Sequence, residues 1–199
     1  MEVPRRERMT LWPGQESPLK KEPFYIERDE EKRKAYDEEI ANIPPDADIA
    51  YIYECGVSRH MSREYGRAKK GERVYLSCHG CKYKRLNIIA GYLRGRLLCP
   101  TKYDWSTNSE WFNEWFEWYL CPILKLGSII VLDNASFHKK ADIIRIAASY
   151  GHRAIFLPPY SPDKNPIEKK WANLKNWLRI HSKKYSTISE AVSAYFMTE

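Results

Sequence analysis

Apolar runs of strand length, separated by turn residues, occupy the middle of this chain. Residues 1–28 hold four prolines among charged residues and are typical of a linker or arm. Residues 29–40 predict a short polar helix, which ends before Pro44 and Pro45. Three apolar runs then predict strands: Ile49 to Glu54, residues 72–78 and residues 85–93. We expect the first of these strands to break at Gly56.

Helical and strand patterns alternate in the second half of the chain. Asn108 can cap a helix that stops before Pro122, and Trp111, Trp115 and Trp118 recur on it at helical spacing. Aromatic residues at this spacing can stack on nucleobases, but burial against a core is the commoner outcome. The other segments predict a strand at 128–133, a helix closed by Gly151, a strand at 153–158, and helices at 165–180 and 189–197. The helix at 165–180 carries a predicted buried stripe of Ile167, Trp171, Leu174 and Leu178. This order of elements predicts an α/β fold with a mixed sheet.

Two acids fall at the predicted ends of regular elements. Asp133 closes an apolar strand, where it can bind a metal or can form a turn, with Ser136 capping the next helix. Glu168 follows Asn165 and Pro166, where it can bind a metal or can complete a capping box with Asn165 as the N-cap. Taken singly, each acid has a structural role that accounts for it.

Together the two acids indicate a site. Thirty-four residues lie between Asp133 and Glu168, one at a strand end and the other at the head of a helix that follows the next strand. Adjacent parallel strands bring both to the same edge of the sheet. Two carboxylates there can hold hydrated Mg²⁺ or Mn²⁺, which activates a nucleophilic oxygen in phosphodiester chemistry.

Charge is distributed unevenly along the chain, whose net charge is +7. Residues 1–48 carry a net charge of −4, so the remainder carries +11, and nine lysines and arginines fall between Arg59 and Arg85. This basic segment is either a solvated surface or a face that follows a nucleic-acid backbone. The candidate DNA-binding residues are Arg63, Arg67, Lys69, Lys70 and Arg73.

The composition predicts one soluble globular domain without membrane contact. Hydrophobic residues make up 43% of the chain, yet no apolar run approaches the roughly 20 residues that span a bilayer. The N-terminus has no apolar segment after its basic residues, so we expect an intracellular protein, either cytoplasmic or nucleoid-associated. Five cysteines make an odd number that suits a reducing interior. Cys78 and Cys81 lack a second ligand pair, which favours a plain turn over a zinc site.

Two sequence segments resemble a known family of enzymes. VLDNASFHK (131–139), followed by FLPPYSPDKNPIEKKWANLK (156–175), is similar to the catalytic core of the DDE transposases of the mariner superfamily, in particular the bacterial insertion-sequence 630 group. The resemblance covers roughly residues 20–180. It implies a ribonuclease-H-like fold, and metal-dependent cutting at transposon ends with joining of the freed 3′ hydroxyl to new DNA.

The resemblance also implies roles for individual residues. Asp133 and Glu168 take the second and third positions of a catalytic carboxylate triad and would bind Mg²⁺ or Mn²⁺. The implied partners are DNA and either a second copy of the chain or an intact transposase. The residues expected to support the site are Glu54, Asn134, His138 and Asn165.

The chain departs from the family at the first triad position. Relatives have an aspartate in a pattern like YIDECG, whereas this chain has YIYECG with Tyr53 in its place. A phenol with a reference pKa of about 10 is neutral at pH 7 and is a poor ligand for a hard divalent cation. Glu54 should project to the opposite face of the strand, and Asp48 precedes the strand, so we expect neither acid to substitute.

A second departure concerns length. Relatives begin with helix-turn-helix modules, for which residues 1–48 offer neither room nor apolar content, so we predict a catalytic domain at 29–199 from a truncated copy or a split element. The leading hypothesis is a transposase catalytic domain that is impaired by Tyr53. The first alternative is an inactive remnant that binds DNA non-specifically or binds a partner. The second is a repurposed nuclease that uses a single metal.

Overall fold

The computed structural model describes residues 28–59 and 84–198. The helices are α1 (Glu30–Ala41), α2 (Ser109–Trp115), α3 (Lys140–Ser149), α4 (Ile167–His181) and α5 (Ile188–Phe196). The strands are β1 (Ile49–Val57), β2 (Leu86–Leu93), β3 (Arg96–Tyr103), β4 (Ile129–Leu132) and β5 (Arg153–Phe156). Several sequence predictions lie outside the described residues: the arm up to residue 27, the strand at 72–78, the Cys78–Cys81 turn, and Arg63, Arg67, Lys69, Lys70 and Arg73.

The strands form one mixed sheet in the order β3-β2-β1-β4-β5. β1 pairs antiparallel with β2 and parallel with β4, while β5 runs parallel to β4. The mixed sheet predicted from the sequence is therefore confirmed. Since β1 and β4 run the same way, their carboxyl ends meet at one edge of the sheet.

Helices cover both faces of the sheet. The alternation of side chains along β1 sends Ala50 and Ile52 to the face covered by α2 and α3, and Cys55 and Val57 to the face covered by α4 and α5. The predicted stripe of α4 is confirmed, because Ile167, Trp171, Leu174 and Leu178 are all buried. No helix in the ranges 28–59 and 84–198 is long and apolar enough to cross a bilayer.

The predicted break of the first strand at Gly56 is wrong. β1 continues to Val57, and Gly56 pairs with Asn87 of β2. The side chain of Arg85 lies over Gly56, so that a Cβ atom added there would come within 1.8 Å of Arg85 Nε. Glycine at this position therefore makes room for a close side-chain approach instead of ending the strand.

Strand β3 was missed by the sequence pattern. Arg94 and Gly95 join β2 to β3 with φ angles of 47° and 90°. Two consecutive positive φ angles are typical of the tight turns that connect hairpin strands. The signal that would have found β3 is therefore the Arg-Gly pair between two apolar runs.

Helix α2 begins as predicted but does not keep one aromatic face buried. Asn108 Oδ1 accepts a hydrogen bond from the Trp111 backbone N–H at 2.8 Å, which confirms the cap. After Trp115 the chain turns with wider π-helical geometry over residues 116–120. This change of period leaves Trp118 66% exposed, so the expected burial of the whole tryptophan stripe is wrong.

The predicted cap of α3 is also wrong. The helix begins at Lys140, and Ser136 lies outside its first turn, so the N-cap residue is Lys139, whose side chain makes no capping hydrogen bond. The C-terminal end follows the prediction, because Gly151 takes a φ of 71° just beyond the helix.

Helix α1 packs on the parallel side of the sheet and holds the loop that follows β5. Arg33 donates to Ser161 Oγ at 2.7 Å and to Asp163 Oδ2 at 2.7 Å, while Lys164 Nζ lies 2.6 Å from Asp37 Oδ1. Tyr36 is the buried apolar residue of this helix. Since α1 offers so little apolar surface, polar contacts largely determine how it docks.

We expect Arg33→Ala to lower the free energy of unfolding by about 1–2 kcal/mol, because it removes hydrogen bonds from a charged donor whose partner is half exposed. The side chain of Arg33 is 11% exposed, against 81% for Lys34, whose nearest acid is 4.0 Å away. Lys34→Ala is thus the matched control and should change stability little. Urea unfolding of both variants measures the difference, and equal effects would contradict a specific contribution of Arg33.

The same contact predicts a pH dependence of stability. Hydrogen bonding to Arg33 lowers the pKa of Asp163 below its ordinary value. Because the pKa of Asp163 is lower in the folded state than in the unfolded state, the ionised carboxylate stabilises the folded protein. This stabilisation is complete at pH values above the unfolded pKa of about 3.9. It is lost as the pH falls through the lower pKa of the folded state. The stability difference between the wild type and Arg33→Ala should therefore be constant above about pH 5 and shrink at lower pH.

Candidate catalytic site

The candidate site lies at the carboxyl ends of β1 and β4. Asp133 directly follows β4, and its Oδ1 accepts the Ala135 backbone N–H at 3.1 Å. The same oxygen lies 3.1 Å from Nε2 of His138, whose side chain is 5% exposed. The turn-forming role of Asp133 is thus present, but the contact with His138 adds a second restraint. Both contacts use Oδ1, and the carboxylate lines an open cavity.

The segment between β5 and α4 closes one side of the site. Asn134 donates through Nδ2 to the Leu157 carbonyl, which ties the end of β4 to this segment. Asn165 is buried and its Nδ2 lies 3.4 Å from the Ile52 carbonyl of β1. Asn134 and Asn165, the two asparagines predicted to support the site, therefore link the segment between β5 and α4 to the ends of β4 and β1.

Glu168 lies in the first turn of α4, but the capping-box interpretation of this residue is wrong. Asn165 Oδ1 accepts the Ile167 N–H at 3.4 Å, as an N-cap side chain does, but the Asn165 N–H donates to the Pro162 carbonyl and not to Glu168. Glu168 instead lies near Tyr53. Burial raises the pKa of Glu168, an effect that the Tyr53 hydrogen bond and the charge of Lys175 oppose.

Tyr53 lies between the two acids. It lines a cavity of about 550 Å³ together with Asp133, and a second cavity of about 400 Å³ together with Glu168. Burial raises the pKa of the Tyr53 hydroxyl, and the charges of Glu168 and Asp133 raise it further. The Tyr53 hydroxyl is therefore neutral, and it lies beside two acids.

Glu54 lies on the opposite face of β1 from Tyr53, as strand alternation predicts. Its Oε2 accepts a hydrogen bond from Thr107 Oγ1 at 3.1 Å. Burial raises the pKa of Glu54, and the hydroxyls of Tyr103 and Thr107 oppose that shift. Asp48 lies at the other end of the strand, 2.6 Å from Arg94. Neither acid is positioned beside Tyr53.

The donor set does not fit a pair of resident metal ions. Within residues 28–59 and 84–198, no group of three or more histidine, cysteine, aspartate or glutamate side chains could hold a metal. Asp133 and Glu168 supply two carboxylates, and Tyr53, which lines a cavity with each of them, adds a neutral phenol. A hard divalent cation prefers anionic oxygen ligands, which this phenol does not supply.

Two basic residues near Glu168 were missed by the sequence. Lys175 lies seven residues after Glu168, and Arg85 precedes β2; both line the 400 Å³ cavity with Glu168. Seven residues is close to two helical turns, so the sequence could have predicted that Glu168 and Lys175 lie on the same face of α4. The approach of Arg85 depends on the pairing of β1 and β2 and had no local signal.

The mixed sheet, with Asp133 directly after β4 and Glu168 in the first turn of α4, is typical of a DDE-type domain. Residues 48–190 match the family model described as DDE superfamily endonuclease, and the chain belongs to this family. No curated protein sequence matches the chain.

Solved structures confirm the fold. The chain is similar to the Mos1 strand transfer complex, with a TM-score of 0.62 and 12% identity over 83% of this chain and 53% of that one. It is also similar to the Mos1 mariner paired-end complex with Mn, with a TM-score of 0.58 and 11% identity over 97% of this chain and 60% of that one. The sheet of this chain thus has the ribonuclease-H-like fold of these structures. The chain spans between about half and three-fifths of the length of these structures.

Proposed function

We propose that this chain is a transposase catalytic domain for metal-dependent DNA cleavage and strand transfer, and that Tyr53 impairs it. The single observation that carries the proposal is the position of Tyr53, which lines one cavity with Asp133 and another with Glu168. The contacts of Asp133 Oδ1 with Ala135 and His138 support Asp133 as one of the two remaining acids. The position proposed for the third acid carries a neutral side chain.

The structure supports separate duties for the residues around Asp133 and Glu168. Ala135 and His138 hold Oδ1 of Asp133, while Asn165 anchors the start of α4 against β1. These contacts fix where the two carboxylates lie before any substrate arrives, which lowers the cost of ordering the site. Mg²⁺ or Mn²⁺, when bound by a complete set of acids, would supply activation of the attacking oxygen.

We further propose a place within the family and a domain boundary. The segment PPYSPDKNPIE (158–168) supports assignment to the insertion-sequence 630 group. Residues 29–199 would form the catalytic domain and residues 1–28 an arm, since α1 docks on the loop after β5 through Arg33 and Lys164.

The comparisons also support partners for this chain. The similar Mos1 structures are a strand transfer complex and paired-end complexes with Mn or Mg. We therefore propose DNA as the substrate, and a second copy of the chain or an intact transposase as the protein partner. We propose a bound divalent cation only for a variant in which an aspartate replaces Tyr53.

The direct test is a cleavage assay on the unmodified chain with supercoiled DNA and either Mg²⁺ or Mn²⁺. We expect negligible nicking, equal to that of the Asp133→Ala variant. Robust metal-dependent cleavage by the unmodified chain would contradict impairment by Tyr53. Hydrolysis without strand joining that Asp133→Ala abolishes would instead indicate a single-metal nuclease.

The alternative function, non-specific DNA binding without cleavage, is supported by the net charge of +7. We expect duplex DNA binding that weakens steeply with salt. Replacing Arg67, Lys69 and Lys70 by Gln should reduce the slope of log K against log salt by about 2–3, because each phosphate contact contributes about 0.9. A variant in which Lys34, Lys125 and Lys183 are replaced by Gln is the matched control, because these three lysines are exposed. Absence of binding at low salt would exclude this function.

A further inference from the structure

The segment that follows β5 forms most of a cavity that the proposed chemistry uses only at the Asp133 side. The volume of this cavity is about 550 Å³. Its apolar wall consists of two tyrosines, one leucine and three prolines: Tyr53, Leu157, Pro158, Pro159, Tyr160 and Pro162. Pockets of roughly 300–1,000 Å³ with mostly apolar and aromatic walls are typical of sites for small organic ligands. The cavity is therefore large enough for a planar ring beside Asp133.

The charge of the cavity favours an uncharged ring over a phosphate group. Among the described residues that line it, Asp133 is the one charged side chain. A phosphate would meet a like charge there and no opposite one, which costs free energy. A nucleobase has no charge, its faces bury apolar area against the wall, and its N–H groups can donate to a carboxylate. The walls of this cavity thus suit the base of a nucleotide better than its phosphate.

Tyr160 lies at this cavity with an unusual backbone conformation. Its φ of 49° falls in the left-handed region, which a bulky L residue rarely adopts. The residue is 50% exposed, so the aromatic ring is accessible from solvent. Strained residues of this kind persist only where the surrounding structure enforces them, and they cluster at ligand sites. Strain and exposure together favour a binding role for Tyr160 over a packing role.

Contacts of the next residue hold Tyr160 in this conformation. Ser161 is 5% exposed, and its Oγ accepts from Arg33 at 2.7 Å and donates to the Pro159 carbonyl at 3.0 Å. Arg33 also donates to Asp163 Oδ2 at 2.7 Å, so the segment is tied to α1 at two points. Because these contacts form this wall of the cavity before a ligand arrives, binding loses little conformational entropy there.

We propose that this cavity binds an unpaired nucleobase of a DNA strand, and that Tyr160 is the residue on which the base stacks. The site rests on the proposed function for the identity of the polymer, which is DNA. A paired base keeps both faces inside the duplex, so the ligand is a base at a strand end or in a single-stranded stretch. The net charge of +7 attracts the backbone of the same strand.

The test measures binding of a fluorescently labelled single-stranded oligonucleotide to the full chain by anisotropy, without metal and at several salt concentrations. We expect Tyr160→Ala to weaken binding about 5- to 150-fold, which is the loss of one base–aromatic stack. Tyr160→Phe keeps the ring and should bind almost as tightly as the wild type. Tyr160→Gly also removes the ring but suits a positive φ, so an equal loss in this variant separates stacking from a folding defect. The matched control is Tyr119→Ala, because Tyr119 is 61% exposed and lies outside the cavity.

Three further measurements separate a base from other ligands. The slope of log K against log salt should be the same in Tyr160→Ala and the wild type, because the ring contacts no phosphate. Tyr160→Ala should not change the binding of an abasic strand of the same length, and free deoxyadenosine should not displace the oligonucleotide at equal concentration. A smaller slope, an equal loss on the abasic strand, an equal loss in Tyr119→Ala or displacement by deoxyadenosine would each overturn the nucleobase site.

The same experiments keep this site distinct from the proposed cleavage function. If Tyr53→Asp cuts DNA while Tyr160→Ala binds the single strand as the wild type does, the proposed function stands and the nucleobase site is excluded. If Tyr160→Ala loses strand binding while Tyr53→Asp cuts nothing, the nucleobase site stands and the proposed function fails.

Discussion

Tyr53→Asp should convert the chain from one without detectable DNA cleavage into a metal-dependent nuclease, with a gain of at least about 100-fold in the rate of strand cutting. The variant should be supplied with a fused DNA-binding module and a duplex that carries the binding site of that module. The readout is the rate of nicking in Mg²⁺ or Mn²⁺, with a metal-free reaction as the blank.

The physical reason lies in two changes at one position. The aspartate would add a carboxylate on the face of β1 where Tyr53 now lies, between the cavities that Asp133 and Glu168 line. Removal of the phenol also takes away a hydroxyl that lowers the pKa of Glu168. The shorter side chain would join the two cavities, which leaves room for hydrated cations with three carboxylate ligands.

Two variants separate these effects. Tyr53→Phe removes the hydroxyl without adding a carboxylate, and it should remain inactive. Tyr53→Asp combined with Asp133→Asn keeps the new acid but loses the old one, and it should lose the gain. If Tyr53→Phe were as active as Tyr53→Asp, the defect would lie in the blocked Glu168 and not in the missing carboxylate.

Trp171→Ala should lower the free energy of unfolding by about 3–5 kcal/mol, a large share of the 5–15 kcal/mol that a domain possesses. Trp171 lies on α4 one turn after Glu168, is 1% exposed, and packs in the core between α4, α5 and the sheet. Its truncation would leave a large cavity under the helix that carries Glu168. Urea unfolding followed by circular dichroism measures the loss.

Trp171→Phe is the informative comparison. The indole Nε1 of Trp171 is buried and has no hydrogen-bond partner among the described residues, so its polar atom contributes no contact there. Phenylalanine keeps much of the apolar volume and removes the unpaired donor, so its cost should stay below about 1.5 kcal/mol. Equal losses in the Ala and Phe variants would show that the indole N–H makes an essential contact.

Local sequence patterns predicted most of the elements and the two acids of the site. The period of α4 placed Ile167, Trp171 and Leu174 on a buried face, and the period of β1 placed Tyr53 and Glu54 on opposite faces. Both inferences need only the covalent geometry of a helix or a strand, which repeats every few residues. The order of strands and helices similarly predicted the mixed sheet and the common edge where Asp133 and Glu168 meet.

Patterns failed where geometry departs from the regular period. Residues 116–120 widen into a π-helical turn, which exposes Trp118 although its spacing predicts burial. Gly56 was interpreted as a breaker because its role in the strand depends on the side chain of Arg85, the residue just before β2. No property of either local segment distinguishes these cases.

The sequence by itself predicted that Tyr53 stands where the family that it resembles has an acid, and that Asp133 and Glu168 lie at the same edge of the sheet. Only the tertiary structure decided that Tyr53 lines a cavity with each of these acids, that Arg33 holds the loop after β5, and that Glu54 accepts a hydrogen bond from Thr107. Each of these contacts joins residues far apart in the chain, and their distance depends on how the whole sheet and its helices pack. Periodicity assigns a side chain to a face, but the packing of other elements against that face decides what it touches.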